Sequence, residues 1–236
     1  MLAVLSGQLS VGWSNDYLDR DRDARSHRID KPIVAQQVTG SRVGSCAVVA
    51  LIVCIPLSMF SGWRAGTVHL IAVSMAWIYN IKLKSSVASA LPYLVAFGLL
   101  PAFVTLGLAD HSWPRPWAMV AASLLGLGAH FVNVLPDFEA DIATGVIGLP
   151  HRLGFLRSLV LGAIFIAMST GVVALFAIES TSQFRIALFV VAISSAIAIF
   201  IIGLSGRLRA AWTLTLCLAG LNVTALIYNG SSIVNN

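Results

Sequence analysis

Apolar positions along this chain neither alternate nor form narrow stripes; they gather into runs of 16 to 22 residues separated by short polar connections. The runs are Gly44–Phe60, Gly66–Ile81, Val87–Leu108, Trp117–Leu135, Ser158–Ile178, Ile186–Leu204 and Ala210–Tyr228, and a shorter one, Met1–Ser14, opens the chain. Runs of this length predict eight membrane helices, several at the short end of the spanning range. They must be helical, because lipid offers no partner to backbone N–H and C=O groups. Pro56, Pro92 and Pro101 fall inside runs and predict kinks, which bundled membrane helices tolerate.

Composition supports the same class. With 58% hydrophobic and 11% charged residues and a mean hydropathy of +0.87, the chain reads as a polytopic all-α membrane bundle, one domain over residues 1–236. The odd-numbered connections carry twelve basic residues, among them Arg20, Arg22, Arg25, Arg28 and Lys31, whereas the even ones carry only Arg64, Arg115 and Arg185. That bias places the odd connections in the cytoplasm. It also accounts for the net charge of +5, which therefore argues for orientation and against nucleic acid. A bacterial plasma membrane is the expected location, and no obligate protein partner is evident. Met1–Ser14 lacks the basic start and small-residue cleavage site of a secretory signal. It reads as the tail of a helix whose beginning is missing, with a further helix expected upstream. Cys46, Cys54 and Cys217 lie in apolar runs without C-x-x-C spacing and read as buried free thiols.

Against this background the acids stand out. Eight of ten carboxylates fall in two clusters, Asp16, Asp19, Asp21, Asp23 and Asp30, then Asp137, Glu139 and Asp141. Asp19, Asp23 and Pro32 recur at Asp137, Asp141 and Pro150, each 118 residues on and four helices later. This is a faint parallel repeat that puts both clusters on the same membrane face. Asn15, Asp19 and Asp23 are spaced four apart and share one face of a helix. Asp137 and Asp141 do the same, and His130 and Asn133 extend that stripe into the membrane. Two solvated acidic loops are the plainer account, but solvated loops seldom space acids four apart twice. Carboxylate oxygens suit a hard cation, Mg²⁺ or Mn²⁺.

Mg²⁺ is often shared between carboxylates and substrate phosphates, and Arg22, Arg28, Lys31, Lys82, Lys84 and Arg152 flank the clusters as phosphate donors. A diphosphate carried by an allylic lipid would suit this combination. Cations stabilise the leaving diphosphate, while apolar helices hold the tail and exclude water. Lys82 and Lys84 could equally mark the cytoplasmic side. His130 and Asn133, polar within a span, are candidates for an acceptor cavity or for a helix–helix hydrogen bond.

These residues carry a resemblance. Asn15-Asp16-Tyr17-Leu18-Asp19-Arg20-Asp21-Arg22-Asp23 resembles the N-D-x-x-D-x-x-x-D signature of the UbiA family of intramembrane prenyltransferases, and Arg28–Ile33 resembles the R-x-x-[RK]-P-[IL] segment after it. Asp137–Asp141 matches the second D-x-x-x-D motif. Gly145–Gly154 is similar to G-x-x-T-L-P-x-x-L-G, with Gly148 where Thr is usual. Tyr79–Lys84 matches the family's tyrosine-and-lysine motif loosely, leaving Lys82 and Lys84 both open. The resemblance implies a nine-helix fold of which eight spans are visible. It also implies Mg²⁺ held by Asn15, Asp19, Asp23, Asp137 and Asp141 with Asp16 nearby, the four aspartates Asp19, Asp23, Asp137 and Asp141 being catalytic. Arg28 and Lys31 would lie near the diphosphate. The implied reaction moves a prenyl group from an isoprenyl diphosphate to a small acceptor, aromatic or quinone-type by family frequency.

Other readings remain. A shortened, impaired member with a structural role follows from the helix expected to be missing. A CDP-alcohol phosphotransferase would need Gly where Arg20 stands and its second acid pair close by. A cation transporter would place its acids mid-span rather than at helix ends.

Overall fold

The computed structural model describes residues 1–26, 28–176, 181–229 and 233, and these contain helices and turns but no strand. Eight long helices follow the apolar runs: α1 (Leu2–Arg25), α2 (Gly40–Met59), α3 (Trp63–Ile81), α4 (Leu91–Leu106) and α5 (Pro116–Val134), then α8 (Phe155–Phe176), α9 (Ser182–Leu204) and α10 (Leu208–Tyr228). Two short helices, α6 (Phe138–Ala143) and α7 (Leu149–Leu153), lie between α5 and α8. The last two residues of the expected run Ser158–Ile178 lie outside the described residues.

The eight expected spans are not equal. α2, α5, α8, α9 and α10 are long and apolar enough to cross a membrane. α4 has only 16 residues. α1 and α3 are diluted by polar residues, serines and motif acids in one and Arg64, His69 and Asn80 in the other. These three instead wall the cavity described below, and polar groups in a bundle face its interior.

α1 does not stop at Ser14. It runs on to Arg25, so Asn15, Asp19 and Asp23 share one helical face as their spacing predicts, while Asp30 lies in the turns that follow. Ala3, Ser6, Gly7, Ser10 and Ser14 form the buried face of α1. The three hydroxyls donate back to the carbonyls of Ala3, Gly7 and Val11 at 3.0, 2.7 and 2.8 Å, which leaves no hydroxyl unpaired. Small residues let helices approach closely: a Cβ on Gly7 would lie 3.0 Å from Val73 Cγ2. Asn80 locks the contact, its Nδ2 donating to Val11 O and Ser14 Oγ, both at 2.9 Å.

α5 is the most buried of the five spans and packs on α4 and α8. At the α5–α8 contact a Cβ on Gly128 would lie 2.5 Å from Ile166 Cγ1. Val132, Leu159, Ile166, Ile199 and Leu218 fill the core between α5, α8, α9 and α10, while Ile186, Ile193, Ile197 and Ile201 of α9 face outward, as a lipid-facing surface requires.

Three expectations are corrected. Pro92 opens α4 and so starts a helix instead of kinking one; Pro56 and Pro101 do lie inside helices. Proline is accommodated in a first turn, where its missing N–H has no partner to lose. Only Cys54 is buried; Cys46 and Cys217 are free but exposed, because the outer face of an apolar span meets lipid rather than core. The second stripe is also broken. α5 ends at Val134, a 3₁₀ turn spans Leu135–Asp137, and α6 begins at Phe138, since Pro136 cannot continue the hydrogen-bond ladder.

Candidate active site

The break at Pro136 does not separate the acids. Asn15, Asp19 and Asp23 from α1 line one cavity together with Asn133, Asp137 and Asp141, at the end of the bundle where α1 and α5 finish. The cavity measures about 540 Å³. Arg22, Arg28, Lys31 and Lys84 share its mouth, so four of the six basic candidates converge on the acids. Tyr79, Tyr93 and Phe97 form its waist, and Val4, Ala72, Val73 and Leu100 continue it into the bundle. The wall thus passes from charged to aromatic to mainly aliphatic, with Gln8 and His69 the polar residues of its lower part.

At the mouth the charges are paired across elements. Asp19 is 4% exposed; it accepts from Arg22 Nη2 at 2.6 Å and from Lys84 Nζ. Arg22 Nη2 also reaches Asp23 Oδ1 at 3.7 Å. Arg28 forks onto Asp30 through Nε and Nη2, at 3.2 and 3.1 Å, and donates Nη1 to Asp137 at 3.1 Å. The hydrogen bond to Asp30 raises the Arg28 pKa and holds the Asp30 carboxyl below its usual range. Lys84 stands on the turn after α3, where burial pushes its ammonium down to about 8 against the opposing pull of Asp141.

Lys84 is held by the second motif's loop. A Cβ on Gly148 would lie 2.6 Å from the Lys84 carbonyl oxygen and 2.8 Å from Ser89 Oγ, while the next amide, Leu149 N–H, donates to Ser89 Oγ at 2.8 Å. The glycine in place of the usual threonine therefore coincides with a backbone-to-backbone contact that a side chain would prevent.

Other candidates stand apart. Lys82 and Arg152 are exposed and line no part of the cavity; Arg152 Nε donates to Ile147 O at 3.3 Å. Asp16 lies beside the mouth, where it accepts from Lys31 Nζ at 2.6 Å. His130 is 1% exposed and sits behind the waist. Its ring is 4.6 Å from that of Tyr93, and its Nε2 is 3.1 Å from Ser89 Oγ. His130 thus packs on Tyr93 of α4 and bonds Ser89 in the turn before α4, which is neither the cavity-facing position nor a helix–helix hydrogen bond; Asn133 faces the cavity.

Sequence reasoning did not single out Tyr79 and Tyr93 as wall residues, although a tyrosine inside an apolar run is the signal that could have found them. It also passed over His151, which is buried with Nε2 3.6 Å from Asp141 Oδ2. Its Nδ1 accepts from Gly148 N–H at 3.2 Å.

The donor set suits a hard divalent cation, consisting of four carboxylates and two side-chain amides with no competing thiol. Among the described residues no three His, Cys, Asp or Glu side chains are grouped to hold a metal ion; instead Arg22 and Lys84 pair with Asp19, and Arg28 with Asp137. An incoming cation with an anionic partner would exchange these contacts: the acids would turn to the cation and the basic groups to the anion.

The family model described as UbiA prenyltransferase family matches residues 1–218. Two solved structures of a UbiA homolog from Archaeoglobus fulgidus share the fold. The one bound to DMAPP and Mg²⁺ superposes with a TM-score of 0.65 and the one bound to GPP and Mg²⁺ with 0.66. In each case identity is 15%, with 96% of this chain and 88% of the other covered. No curated protein matches the chain.

Proposed function

This chain belongs to the UbiA prenyltransferase family, and from that premise we propose that it transfers a prenyl group from an isoprenyl diphosphate to a small acceptor of aromatic or quinone-precursor type. The carrying observation is the cavity itself. Both acidic motifs and four basic side chains meet at its mouth, and below Tyr79 and Tyr93 its wall is mainly aliphatic, with Gln8 and His69 as polar exceptions. That is the shape and polarity of a lipid diphosphate lying head at the mouth and tail in the shaft.

Asn15, Asp19, Asp23, Asp137 and Asp141 would hold Mg²⁺, with Asp16 at the margin. The ion would neutralise diphosphate oxygens and so stabilise the charge that develops on the leaving group. Arg22, Arg28, Lys31 and Lys84 bind the remaining oxygens, Arg28 through its planar fork. As the allylic C–O bond breaks, its electron pair leaves with the diphosphate, and the acceptor then forms the new bond to the allylic carbon and loses a proton. Tyr79, Tyr93 and Phe97 shield that carbon from water, which would otherwise capture it. Asn133, facing the cavity at the level of the acids, is placed to orient the acceptor. The proposed orientation puts the mouth on the cytoplasmic side, following the distribution of basic residues.

The test is pyrophosphate release and prenylated product formed by the purified chain with Mg²⁺, geranylgeranyl or shorter prenyl diphosphates, and a panel of acceptors including 4-hydroxybenzoate and naphthoates. Turnover with any acceptor supports the proposal and identifies the acceptor. Tight Mg²⁺-dependent binding without turnover across the panel would favour an impaired member with a structural role.

A further inference from the structure

The shaft ends on a fixed polar side chain that chemistry at the mouth does not require. The lining residues farthest from the mouth are Val4 on α1, His69 on α3 and Leu100 on α4. Val4 lies eleven residues from Asn15 at the mouth, and His69 and Leu100 lie ten and seven residues from Tyr79 and Tyr93 at the waist, which places the floor roughly 16 Å below the mouth and 10–15 Å below the waist at about 1.5 Å per residue. No described residue farther along these three helices lines the cavity.

His69 cannot easily move from this position. Ser58 donates its hydroxyl hydrogen to Cys54 O at 2.6 Å, so Ser58 Oγ is left to accept from His69 Nδ1–H at 2.8 Å. The imidazole stacks on Phe103, with centroids 4.6 Å apart and planes at 26°. On the α1 side it meets Gly7, where an added Cβ would be 3.4 Å from Cε1. The ring is 3% exposed and clamped by α1, α2 and α4. Displacing it would break a buried hydrogen bond and leave the Nδ1 donor unpaired, a penalty that rotating an apolar side chain does not carry.

Resting on the prenyl diphosphate reading above, we propose that His69 is the stop of the shaft and limits the enclosed chain to about three isoprene units. The length follows from geometry. Three backbone bonds span roughly 3.6 Å, so the four-bond isoprene repeat spans about 5 Å, and the roughly 15 Å along α3 from Tyr79 down to His69 takes three. His69 is a specificity-determining residue, too far from the acids to touch the reacting carbon. A fourth unit must fold back, emerge between helices or push the imidazole aside.

The experiment measures Mg²⁺-dependent binding of dimethylallyl, geranyl, farnesyl and geranylgeranyl diphosphates to the full chain in detergent by calorimetry, which needs no acceptor. For the unaltered protein, affinity rises with each unit up to farnesyl and gains nothing at geranylgeranyl. His69→Ala restores the missing gain, about tenfold or more for geranylgeranyl relative to farnesyl, because the last unit is then buried. Ala76→Phe tests the same shaft independently. Ala76 lines it seven residues nearer the mouth, so the new ring should weaken geranyl and farnesyl binding at least tenfold and spare dimethylallyl. A uniform gain through geranylgeranyl in the unaltered protein, or an unchanged length series in both variants, overturns the stop. Failure of every prenyl diphosphate to bind would instead overturn the reading of the site itself.

Discussion

Arg28 donates Nη1 to Asp137 Oδ2 at 3.1 Å across 109 residues of sequence, joining the segment after the first acidic motif to the first acid of the second. The same guanidinium forks onto Asp30, so one side chain sets the spacing between the halves of the mouth. Its geometry matters more than its charge, because lysine offers a point donor in place of a planar fork. Arg28→Lys should therefore weaken farnesyl diphosphate binding by about tenfold while leaving thermal stability within a degree or two, both partners being partly solvated. Calorimetry and a melting curve in detergent separate the two effects; equal affinity for the lysine variant would remove Arg28 from the diphosphate site.

Asp19→Ala and Asp137→Ala should each lower prenyl transfer by about a hundredfold or more, the scale of losing a ligand that acts in the transition state. Asp19 is the more buried of the two and holds both Arg22 and Lys84, so its removal should also cost some stability. Near-normal Mg²⁺-dependent turnover by either variant sinks the metal assignment.

Lys82 and Lys84 are two residues apart yet placed oppositely, one exposed and one in the cavity beside Asp19. Lys84→Met should reduce prenyl diphosphate affinity about tenfold or more, as loss of a charge-assisted contact implies, whereas Lys82→Met should change it less than about twofold. A reversed ranking would show that the turn after α3 is arranged differently when substrate is bound.

Gly148 supplies a packing test. A Cβ there falls 2.6 Å from the Lys84 carbonyl oxygen, and that neighbour is backbone. Gly148→Ala should therefore shift the turn bearing Lys84 and destabilise the protein by about 1–3 kcal/mol, the usual range for forced overpacking. A melting temperature and affinity both unchanged would mean that the loop absorbs the methyl group freely.

Chelation gives the simplest check on the cation. EDTA should abolish prenyl diphosphate binding, and Mg²⁺ or Mn²⁺ should restore it, whereas Zn²⁺, which favours nitrogen and sulfur donors, should restore it poorly. Binding that survives EDTA would leave the basic side chains as the whole of the diphosphate site.

Helix content and position were legible in the amino-acid order because lipid imposes one solution on a long apolar run. The paired acids were legible because carboxylates are scarce here and fall at helical spacing. What stayed hidden is what neighbours impose. The sharing of Asp19 between Arg22 and Lys84 depends on where the turn after α3 comes to lie. The exposure of Cys46 and Cys217 depends on which side of α2 and α10 meets other helices. Pro136 was visible, yet only the folded chain shows that breaking α5 there still returns Asp137 and Asp141 to the cavity of Asn133. The choice between Lys82 and Lys84, and the retreat of His130 behind Tyr93, are matters of a few ångströms that periodicity does not encode. Sequence alone determined that this is an all-helical membrane protein with two acid stripes, since burial, charge and spacing are properties of the residues themselves. Tertiary structure decided which cations meet those acids and where the shaft ends at His69, because both depend on distances between helices far apart in the chain.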